Sequence, residues 1–387
     1  MSDLTYFDYA ATTPVDQRVL EAMLPYFSEL FGNPSSVHRS GQRAEAAVET
    51  ARETIAAGLH CRPDEIVFTS CGSESDNLAI RGAAMARRAS TAANRILTSR
   101  AEHHAVSKTA AQLEKHYGFQ VDWLETDAYG MVTPEAVRQA LRPDTALVSV
   151  MAANNEIGTL NPVAQIAEVC RAQSVPFHTD AVQAAAYQPL DVSSLGVDML
   201  ALGAHKFYGP KGVGALYVRK GTALLPAQTG GAQESGLRAG TQNVPYIVGF
   251  AEAFRLTVGE RDQRAAHVRP LRDRIIGRVL EEIPDVRLTG HPDLRLPNHA
   301  SFAFKGMDGN LLLTLLDAAG FACSSGSACK TGNPEPSEVM AAIGLPPEWG
   351  LGSLRVTLGR DSTAAQVEAF LDALPGLVLK ARNLNRR

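Results

Sequence analysis

Lys206 is the residue of this sequence whose position best suits covalent chemistry. It follows the β-rich run DMLALG, beside His205, and the glycine-containing segment GPKGVG (209–214) comes shortly after it. Ligands in α/β proteins bind at the carboxyl ends of strands, and a partly desolvated lysine there can attack a carbonyl as the neutral amine. A single lysine at a strand end is more often simply exposed to solvent, so the neighbouring residues must decide between the two interpretations.

Asp180 ends a second β-rich run, VPFHTD, upstream of Lys206. A carboxylate at a strand end can pair with the protonated ring nitrogen of pyridoxal phosphate (PLP), which keeps that ring an electron sink. Aspartate is also a common N-cap of helices, and one side chain can serve both roles. The pair of Lys206 and Asp180 therefore suggests PLP as a cofactor.

The segment EIVFTSCGSESDNLAI is typical of a strand, a tight polar turn and a helix. Gly72 and Ser73 lie in the turn, where backbone amides and a hydroxyl at a helix N-terminus could hold a phosphate. An ordinary turn with a serine cap is the alternative interpretation. The sequence has no G-x-G-x-x-G and no Walker A pattern, which disfavours dinucleotide and nucleoside triphosphate binding.

Short strands that alternate with amphipathic helices must position these residues. Helical patterns at 104–117 and 162–173 separate some of the strands, and the alternation is typical of a largely parallel sheet covered on both faces. The strand candidates are EIVFTS (65–70), RILTS (95–99), QVDWLE (120–125), TALVSVMA (145–152), VPFHTD (175–180), DMLALG (198–203) and GALYV (214–218).

The pattern changes near residue 255. A long charged helix, roughly 257–283, is followed by the strand candidate HASFAF, the helical NLLLTLLDAAG, the strand candidates FACSS and SLRVTL, and a final helix. These elements indicate a smaller α+β unit. We therefore predict an α/β protein with a large PLP-binding domain at 14–256, built on a mostly parallel seven-stranded sheet, and a small domain formed by 1–13 and 257–387.

Composition excludes several classes of protein. The formal net charge is −4 without a basic block, which argues against nucleic-acid binding, and no apolar run is long enough to span a membrane. The first residues lack the features of a signal peptide. Five scattered cysteines argue against a disulfide framework and for the reducing cytoplasm, and the cysteine and histidine spacings do not suggest a zinc site.

At these motifs the chain resembles the cysteine desulfurases of the NifS/IscS branch, which are fold-type I PLP enzymes of the class V aminotransferase family. The resemblance extends from Tyr6 to Arg360 and rests on many motifs in the same order. They are YFDYAATTP, FGNPSSVH, TSCGSESDN, AEHHAV, NNEIG, HTDAVQ, GLRAGTQN, SSGSACKTGNPEPS and LRVTLGR.

The resemblance implies how the PLP ring is held. Lys206 would bind PLP covalently, and Asp180 would face the ring nitrogen. His103 would stack on the ring and assist proton transfer. Gln183 and Asn155 would donate hydrogen bonds to the phenolic oxygen of the ring.

The resemblance also implies a phosphate site formed by Gly72, Ser73 and His205, with Thr241 contributed across a homodimer interface. Two positions depart from the family pattern. A glycine at position 203 stands where relatives often carry a hydroxyl residue, which would remove one phosphate contact. A cysteine at 71 stands where many have glycine, which adds a thiol close to the cofactor.

Cys329 lies in a run of small and turn-forming residues, about 322–336, which predicts a mobile surface loop. The usual alternative for a cysteine is a buried and inert side chain. The resemblance implies that Cys329 is the sulfur acceptor: it would attack the sulfur of L-cysteine as a thiolate, leaving L-alanine and a persulfide. Lys330 could lower the pKa of the thiol. The sulfur would pass to acceptor proteins such as an iron–sulfur scaffold.

Arg355 has two interpretations in SLRVTL. Alternation places Leu354, Val356 and Leu358 on one face of a strand and Arg355 on the other, where it could be exposed to solvent. The resemblance implies instead that Arg355, together with Asn155, binds the substrate, with the guanidinium holding the carboxylate in a bidentate manner.

Other functions remain as alternatives. A selenocysteine lyase, or another class V lyase or transaminase, would use the same fold and cofactor. A non-catalytic scaffold is disfavoured because Lys206, Asp180, His103 and Cys329 are all present. An NAD-binding Rossmann protein is disfavoured because the glycine fingerprint is absent.

Overall fold

The structure, a computed structural model, describes residues 4–325 and 335–385. Its strands and helices alternate along most of the chain. The strands are β1 (Thr5–Tyr6), β2 (Ile66–Thr69), β3 (Arg95–Ser99), β4 (Gln120–Leu124), β5 (Thr145–Ser149), β6 (Phe177–Asp180), β7 (Met199–Gly203), β8 (Gly214–Val218), β9 (Val286–Leu288), β10 (His299–Phe304), β11 (Phe321–Ala322) and β12 (Ser353–Thr357).

A seven-stranded sheet in the order β2-β8-β7-β6-β5-β3-β4 forms the centre of the described residues. Each of its strands overlaps one of the seven sequence candidates, and the predicted α/β fold is confirmed. Only β8 runs opposite to the others, because it pairs antiparallel with both β2 and β7. Every residue of β2, β5, β6, β7 and β8 is buried, as expected for strands with helices on both faces of the sheet.

The shared direction of the other strands places their carboxyl ends at one edge of the sheet. The chain segments that follow β2, β3, β5, β6 and β7 therefore meet at this edge. Each of these segments carries at least one residue singled out in the sequence, which explains why residues far apart in the chain lie together.

The helices cover this sheet and extend into the second half of the chain. They are α1 (Gln17–Met23), α2 (Pro25–Ser28), α3 (Arg39–Leu59), α4 (Gly72–Thr91), α5 (His104–Tyr117), α6 (Pro134–Ala140), α7 (Val163–Ala172), α8 (Val192–Leu195), α9 (Val244–Glu282), α10 (Gly309–Ala318), α11 (Glu338–Ala342), α12 (Pro347–Gly350) and α13 (Ala364–Asn385). No helix among the described residues combines the length and apolar character needed to cross a membrane.

The long helix α9 begins earlier than the sequence prediction of about 257. It begins at Val244, where the Asn243 side chain accepts a hydrogen bond from the amide of Tyr246 and Pro245 occupies the first turn. A proline in the first turn favours a helix start, since the missing N–H has no partner there in any case. The helix runs continuously across residue 256, and the division of the chain into domains at that residue stays a prediction.

Arg355 lies on β12, which belongs to a second sheet with the strand order β12-β10-β9. Its strands pair antiparallel, with Arg355 opposite Ser301 of β10. The N-terminal segment reaches the same place through a bridge between Asp8 and Thr357. Residues from both ends of the chain therefore meet beside the carboxyl edge of the large sheet.

Candidate active site

A cavity of about 290 Å³ lies at the carboxyl edge of the seven-stranded sheet. This is close to the lower end of the volumes usual for small-molecule sites. Most of the residues singled out in the sequence line it. They are Gly72, Ser73, His103, Asn155, Asp180, Gln183, His205, Lys206 and Arg355.

Lys206 enters the cavity from a single 3₁₀ turn that follows β7. Its Nζ donates hydrogen bonds to the carbonyl oxygens of Ala10 at 2.6 Å and Ala11 at 2.7 Å. Displacement of water by the surrounding protein, reinforced by the positive charge of Arg355, lowers the pKa of Lys206 to about 8. A far larger fraction of this amine is therefore neutral near pH 7 than for a lysine in water.

Asp180 is the last residue of β6 and is buried beside the cavity. Its Oδ1 accepts a hydrogen bond from the amide of Val182 at 2.9 Å. Burial raises the pKa of this carboxyl group, while His103 and Lys206 partly oppose the shift. The carboxyl group therefore sits where its ionisation depends on a positive partner in the cavity.

His103 lies between β3 and α5 and forms the N-cap of α5. Its Nδ1 accepts a hydrogen bond from the amide of Ala105 at 3.1 Å. A neutral imidazole that accepts at Nδ1 carries its proton at Nε2. Loss of contact with water lowers the pKa of His103, with Lys206 and His104 acting in the same direction and Asp180 against it. The lowered pKa favours the neutral ring, which donates from Nε2.

The N-terminus of α4 is where the sequence predicts that the phosphate group of PLP binds. The N-cap residue, Cys71, makes no side-chain cap hydrogen bond. A Cβ atom added at Gly203 would lie 3.3 Å from the amide nitrogen of Gly72, so the absence of a side chain keeps space open beside this amide. Unbonded amides and the helix dipole favour an anion at this position.

His205 stands next to Lys206 and reaches the N-terminal segment. Its Nδ1 is 3.1 Å from Thr12 Oγ1. Loss of contact with water, with Lys206 and Lys211 as further causes, lowers the pKa of His205 to about 4. The imidazole is therefore neutral near pH 7 and could serve a phosphate as a hydrogen-bond partner rather than as a charge.

Two amide side chains were predicted to bind the ring oxygen. Gln183 Nε2 donates to the carbonyl of Ala10 at 2.8 Å, which fixes the side chain on the cavity wall. The backbone carbonyl of Asn155 accepts hydrogen bonds from Arg355 Nη1 at 2.7 Å and from His299 Nε2 at 3.3 Å. Both residues line the cavity, and their bonds to a ring oxygen stay predictions.

Arg355 is buried, with 5% of its surface exposed, so the interpretation as a solvent-exposed strand arginine is wrong. Its Nη1 donates to the Asn155 carbonyl, and its Nη2 donates to Asp8 Oδ1 at 2.8 Å. Its Nε has no hydrogen-bond partner among the described residues. A buried guanidinium with an unused donor beside a cavity suits an anionic ligand.

Two predicted site residues are not among the residues lining this cavity. Thr241 is exposed on the surface of the chain. Cys329 lies outside the described residues. The first described stretch ends at Ser325, whose backbone carbonyl accepts a hydrogen bond from Ser353 Oγ. The preceding Ser324 forms a bridge with Arg355. Ser324, which precedes the segment 326–334 in the chain, therefore lies next to Arg355.

The sequence reasoning missed two acidic residues. Asp8 accepts a hydrogen bond from Arg355 Nη2, a role that its motif YFDYAATTP did not reveal. Asp76 lines the cavity, and it lies four residues after Gly72, a spacing that places both on one face of a helix. One potential ligand atom from each of Asp76, His103 and Asp180 lies within 4.8 Å of the others, a grouping that the spacing of these residues in the sequence does not reveal.

The donor set fits PLP. It offers a depressed-pKa lysine for the aldehyde, a buried carboxyl group for the ring nitrogen, and a helix N-terminus with neighbouring glycines for the phosphate. Cys71 also lines the cavity, as expected for a thiol close to this cofactor.

Comparisons with known proteins agree with this geometry. The aminotransferase class-V family model matches residues 5–370. A cysteine desulfurase IscS of Methanosarcina thermophila is 48% identical over 98% of this chain and 93% of its own length. A cysteine desulfurase IscS of Dictyoglomus turgidum is 46% identical over 98% and 96%. A solved NifS-like protein superimposes with a TM-score of 0.90 at 36% identity, covering 97% of this chain and all of that one.

Proposed function

The chain belongs to the class-V aminotransferase family, and we propose that it is a PLP-dependent cysteine desulfurase that converts L-cysteine to L-alanine and holds the sulfur as a persulfide on Cys329. The observation that supports this best is the cavity that combines Lys206, Asp180 and Arg355. An amine, a carboxyl group and a guanidinium are what an amino-acid substrate and PLP together require.

The residues that would hold PLP are those at the carboxyl edge of the sheet. Lys206 would hold the aldehyde, Asp180 the ring nitrogen, and Gly72, Ser73 and His205 the phosphate. When bound, PLP supplies an electron sink for the negative charge left on the substrate Cα when it loses its proton. Gln183, Asn155 and His103 would orient the ring.

Lys206 and His103 can move protons in this cavity. With L-cysteine in the cavity, the neutral Nζ of Lys206 could accept the Cα proton, and its lowered pKa suits that task. Because Nδ1 of His103 accepts the N-cap hydrogen bond, the proton of the neutral ring is on Nε2. It can therefore be delivered to the substrate or taken back.

The sulfur-transfer step uses Cys329. Its thiolate would form an S–S bond with the substrate sulfur while the substrate C–S bond breaks with its electron pair left on the carbon fragment. That fragment would take up one proton at Cβ and regain the one lost from Cα to become L-alanine. The bridge between Ser324 and Arg355 supports this role, because Ser324 lies five residues before Cys329 in the chain and beside the residue expected to bind the substrate carboxylate.

Three wider parts of the proposal rest on the family resemblance and on the chemistry of the acceptor thiol. We expect a homodimer in which Thr241, exposed here, contacts the phosphate in the partner's cavity. We expect a sulfur-acceptor protein, such as an iron–sulfur scaffold, to take the persulfide sulfur. We expect the protein to act in the cytoplasm, since a free acceptor thiol must stay reduced.

The proposal is tested by incubating the purified protein with L-cysteine and measuring alanine and sulfide, with and without a thiol reductant. Equal amounts of alanine and released sulfide are expected when the reductant is present, because it frees the sulfur from the persulfide. Protein that forms pyruvate or no alanine would contradict the proposal. A strong preference for L-selenocysteine, without need for Cys329, would indicate a selenocysteine lyase instead.

The lowered pKa of Lys206 predicts how fast PLP is incorporated at different pH values. The apoprotein should take up PLP faster as the pH rises, with the midpoint near the pKa of about 8, because the neutral amine attacks the aldehyde. An unperturbed lysine would give a rise that continues to pH ~10. The rate is followed by the absorbance of bound PLP. A midpoint above pH ~10 would contradict the prediction.

Arg355→Lys should weaken substrate binding more than catalysis. Lysine keeps the positive charge but loses the planar pair of donors, so we expect the KM for L-cysteine to rise about tenfold or more, with a smaller change in kcat. Steady-state alanine formation measures both. Arg219→Lys is the matched control, since Arg219 follows β8 and lies at the opposite edge of the sheet. An equal KM for Arg355→Lys and wild type would remove Arg355 from substrate binding.

A further inference from the structure

Asp76 is an acidic residue that the mechanism above does not use. It lies in the second turn of α4, lines the cavity, and exposes only 1% of its surface. Its Oδ1 has no hydrogen-bond partner among the described residues. One of its oxygens lies within 4.8 Å of an oxygen of Asp180 and of a ring nitrogen of His103. Two buried carboxyl groups therefore share one small space beside the site for the PLP ring.

His178 stands behind Asp76 and does not neutralise it. The two side chains are both buried, and His178 Nε2 is 3.5 Å from Asp76 Oδ1. On the other side, His178 Nδ1 is 2.9 Å from Ser149 Oγ. Burial lowers the pKa of His178 to about 3, so the imidazole is neutral near pH 7 and brings no positive charge to the carboxyl pair.

The two carboxyl groups cannot both be ionised at low cost, because like charges at this separation in a buried place repel strongly. The surroundings decide which group keeps the proton. Asp180 has the amide of Val182 as a donor and is stabilised as an anion by His103 and Lys206. Asp76 has no such stabilising neighbour: burial, Asp180, Glu102 and Cys71 all raise its pKa.

We propose that Asp76 is a positioning residue that stays protonated and, as a neutral acid, donates its O–H to Asp180, so that Asp180 remains ionised for the ring nitrogen of PLP. This inference rests on the proposed function. It gives a reason for an otherwise unfavourable feature, an acid buried next to another acid. It also assigns to α4 two tasks at once, an anion site at its first turn and a proton donor one turn later.

The test compares the PLP affinity of apoprotein variants by absorbance titration. Asp76→Leu is similar in size but has no donor, and Asp76→Asn keeps a neutral N–H donor. We expect PLP to bind about tenfold more weakly to the leucine variant than to the asparagine variant, because a hydrogen bond to a charged group is lost. If the leucine variant does not fold by circular dichroism, Asp76→Ala takes its place.

A double-variant cycle separates this role from a merely structural one. Where Asp180 is already replaced by asparagine, the further change Asp76→Leu should weaken PLP binding less than about twofold, because Asp76 acts through Asp180. As the pH falls, the single leucine variant should lose its affinity for PLP at a higher pH than wild type does. The reason is that the pKa of Asp180 rises when the donor at position 76 is removed. The titratable groups that face this pair are His103, Lys206, Glu102, Cys71 and His178.

Three results would overturn the inference. They are equal affinity in the leucine variant and wild type, equal losses in the asparagine and leucine variants, and independent losses in the double variant. Wild-type protein is first shown to carry a pyridoxyl group on Lys206 after borohydride reduction. If it carries none, the proposed function fails; if it does and the variants disagree with expectation, only the role of Asp76 fails.

Discussion

Replacing Lys206 with alanine should abolish covalent binding of PLP and lower the rate of alanine formation from L-cysteine at least about a thousandfold. Two tasks are lost together. The side chain that holds the aldehyde is missing, and the Nζ that takes the Cα proton is missing as well. Because one residue serves both tasks, added PLP alone should not restore the rate.

The measurement has two parts. Borohydride reduction followed by digestion and mass spectrometry should place a pyridoxyl group on the wild-type peptide that contains Lys206 and none on that peptide in the variant. Alanine formation is measured on the same samples. Lys211→Ala is the control, since Lys211 is five positions further on and exposed. A pyridoxyl group on another lysine of the wild-type protein, or full activity in Lys206→Ala, would overturn the proposed chemistry.

The fold could be predicted from the sequence because several of its central strands are largely apolar runs. Strands such as β5 and β7 are buried on both faces, so their sequences contain no polar alternation that could be confused with another element. The same property made much of the site predictable. Lys206 and Gly72 closely follow strands and Asp180 ends one, and parallel strands bring their carboxyl ends to one edge.

Arg355 shows why other parts of the site could not be predicted. Alternation in SLRVTL assumes one face in solvent, but Asp8 and Ser324 cover β12 from distant parts of the chain. Such cover depends on tertiary contacts, which a local pattern does not contain. The contact between Asp76 and His178 has the same origin, because a helix residue and a strand residue meet only after α4 packs on the sheet.

The sequence predicts the start of α9 too late, and the reason is local. Its charged part gives a clear helical signal, but its first turns, from Val244 to Phe254, are apolar and resemble the buried runs found elsewhere. Phe250 and Phe254 pack against Phe207, which follows Lys206 directly. The apolar start of α9 therefore supports the turn that carries the lysine.

Replacing Cys329 with serine should stop sulfur transfer while leaving PLP bound. A serine hydroxyl is not ionised near neutral pH and cannot form the S–S bond, so we expect alanine formation from L-cysteine to fall at least about a hundredfold. The absorbance of bound PLP and the pyridoxyl group on Lys206 should persist, because the residues lining the cavity are unchanged. This combination distinguishes a lost sulfur acceptor from a lost cofactor.

The location of the persulfide decides the prediction. After wild-type protein reacts with L-cysteine, mass spectrometry should find one added sulfur on the peptide with Cys329 and none on the peptide with Cys71, the thiol that lines the cavity. Cys61→Ser is the matched control, because burial raises the pKa of Cys61 to about 12 and keeps its thiol protonated. Added sulfur on Cys71 in place of Cys329, or unchanged turnover in Cys329→Ser, would move the acceptor role elsewhere. With Cys329 confirmed as acceptor, the bridge between Ser324 and Arg355 would connect the residue expected to bind the substrate carboxylate to a residue five positions before the acceptor thiol in the chain.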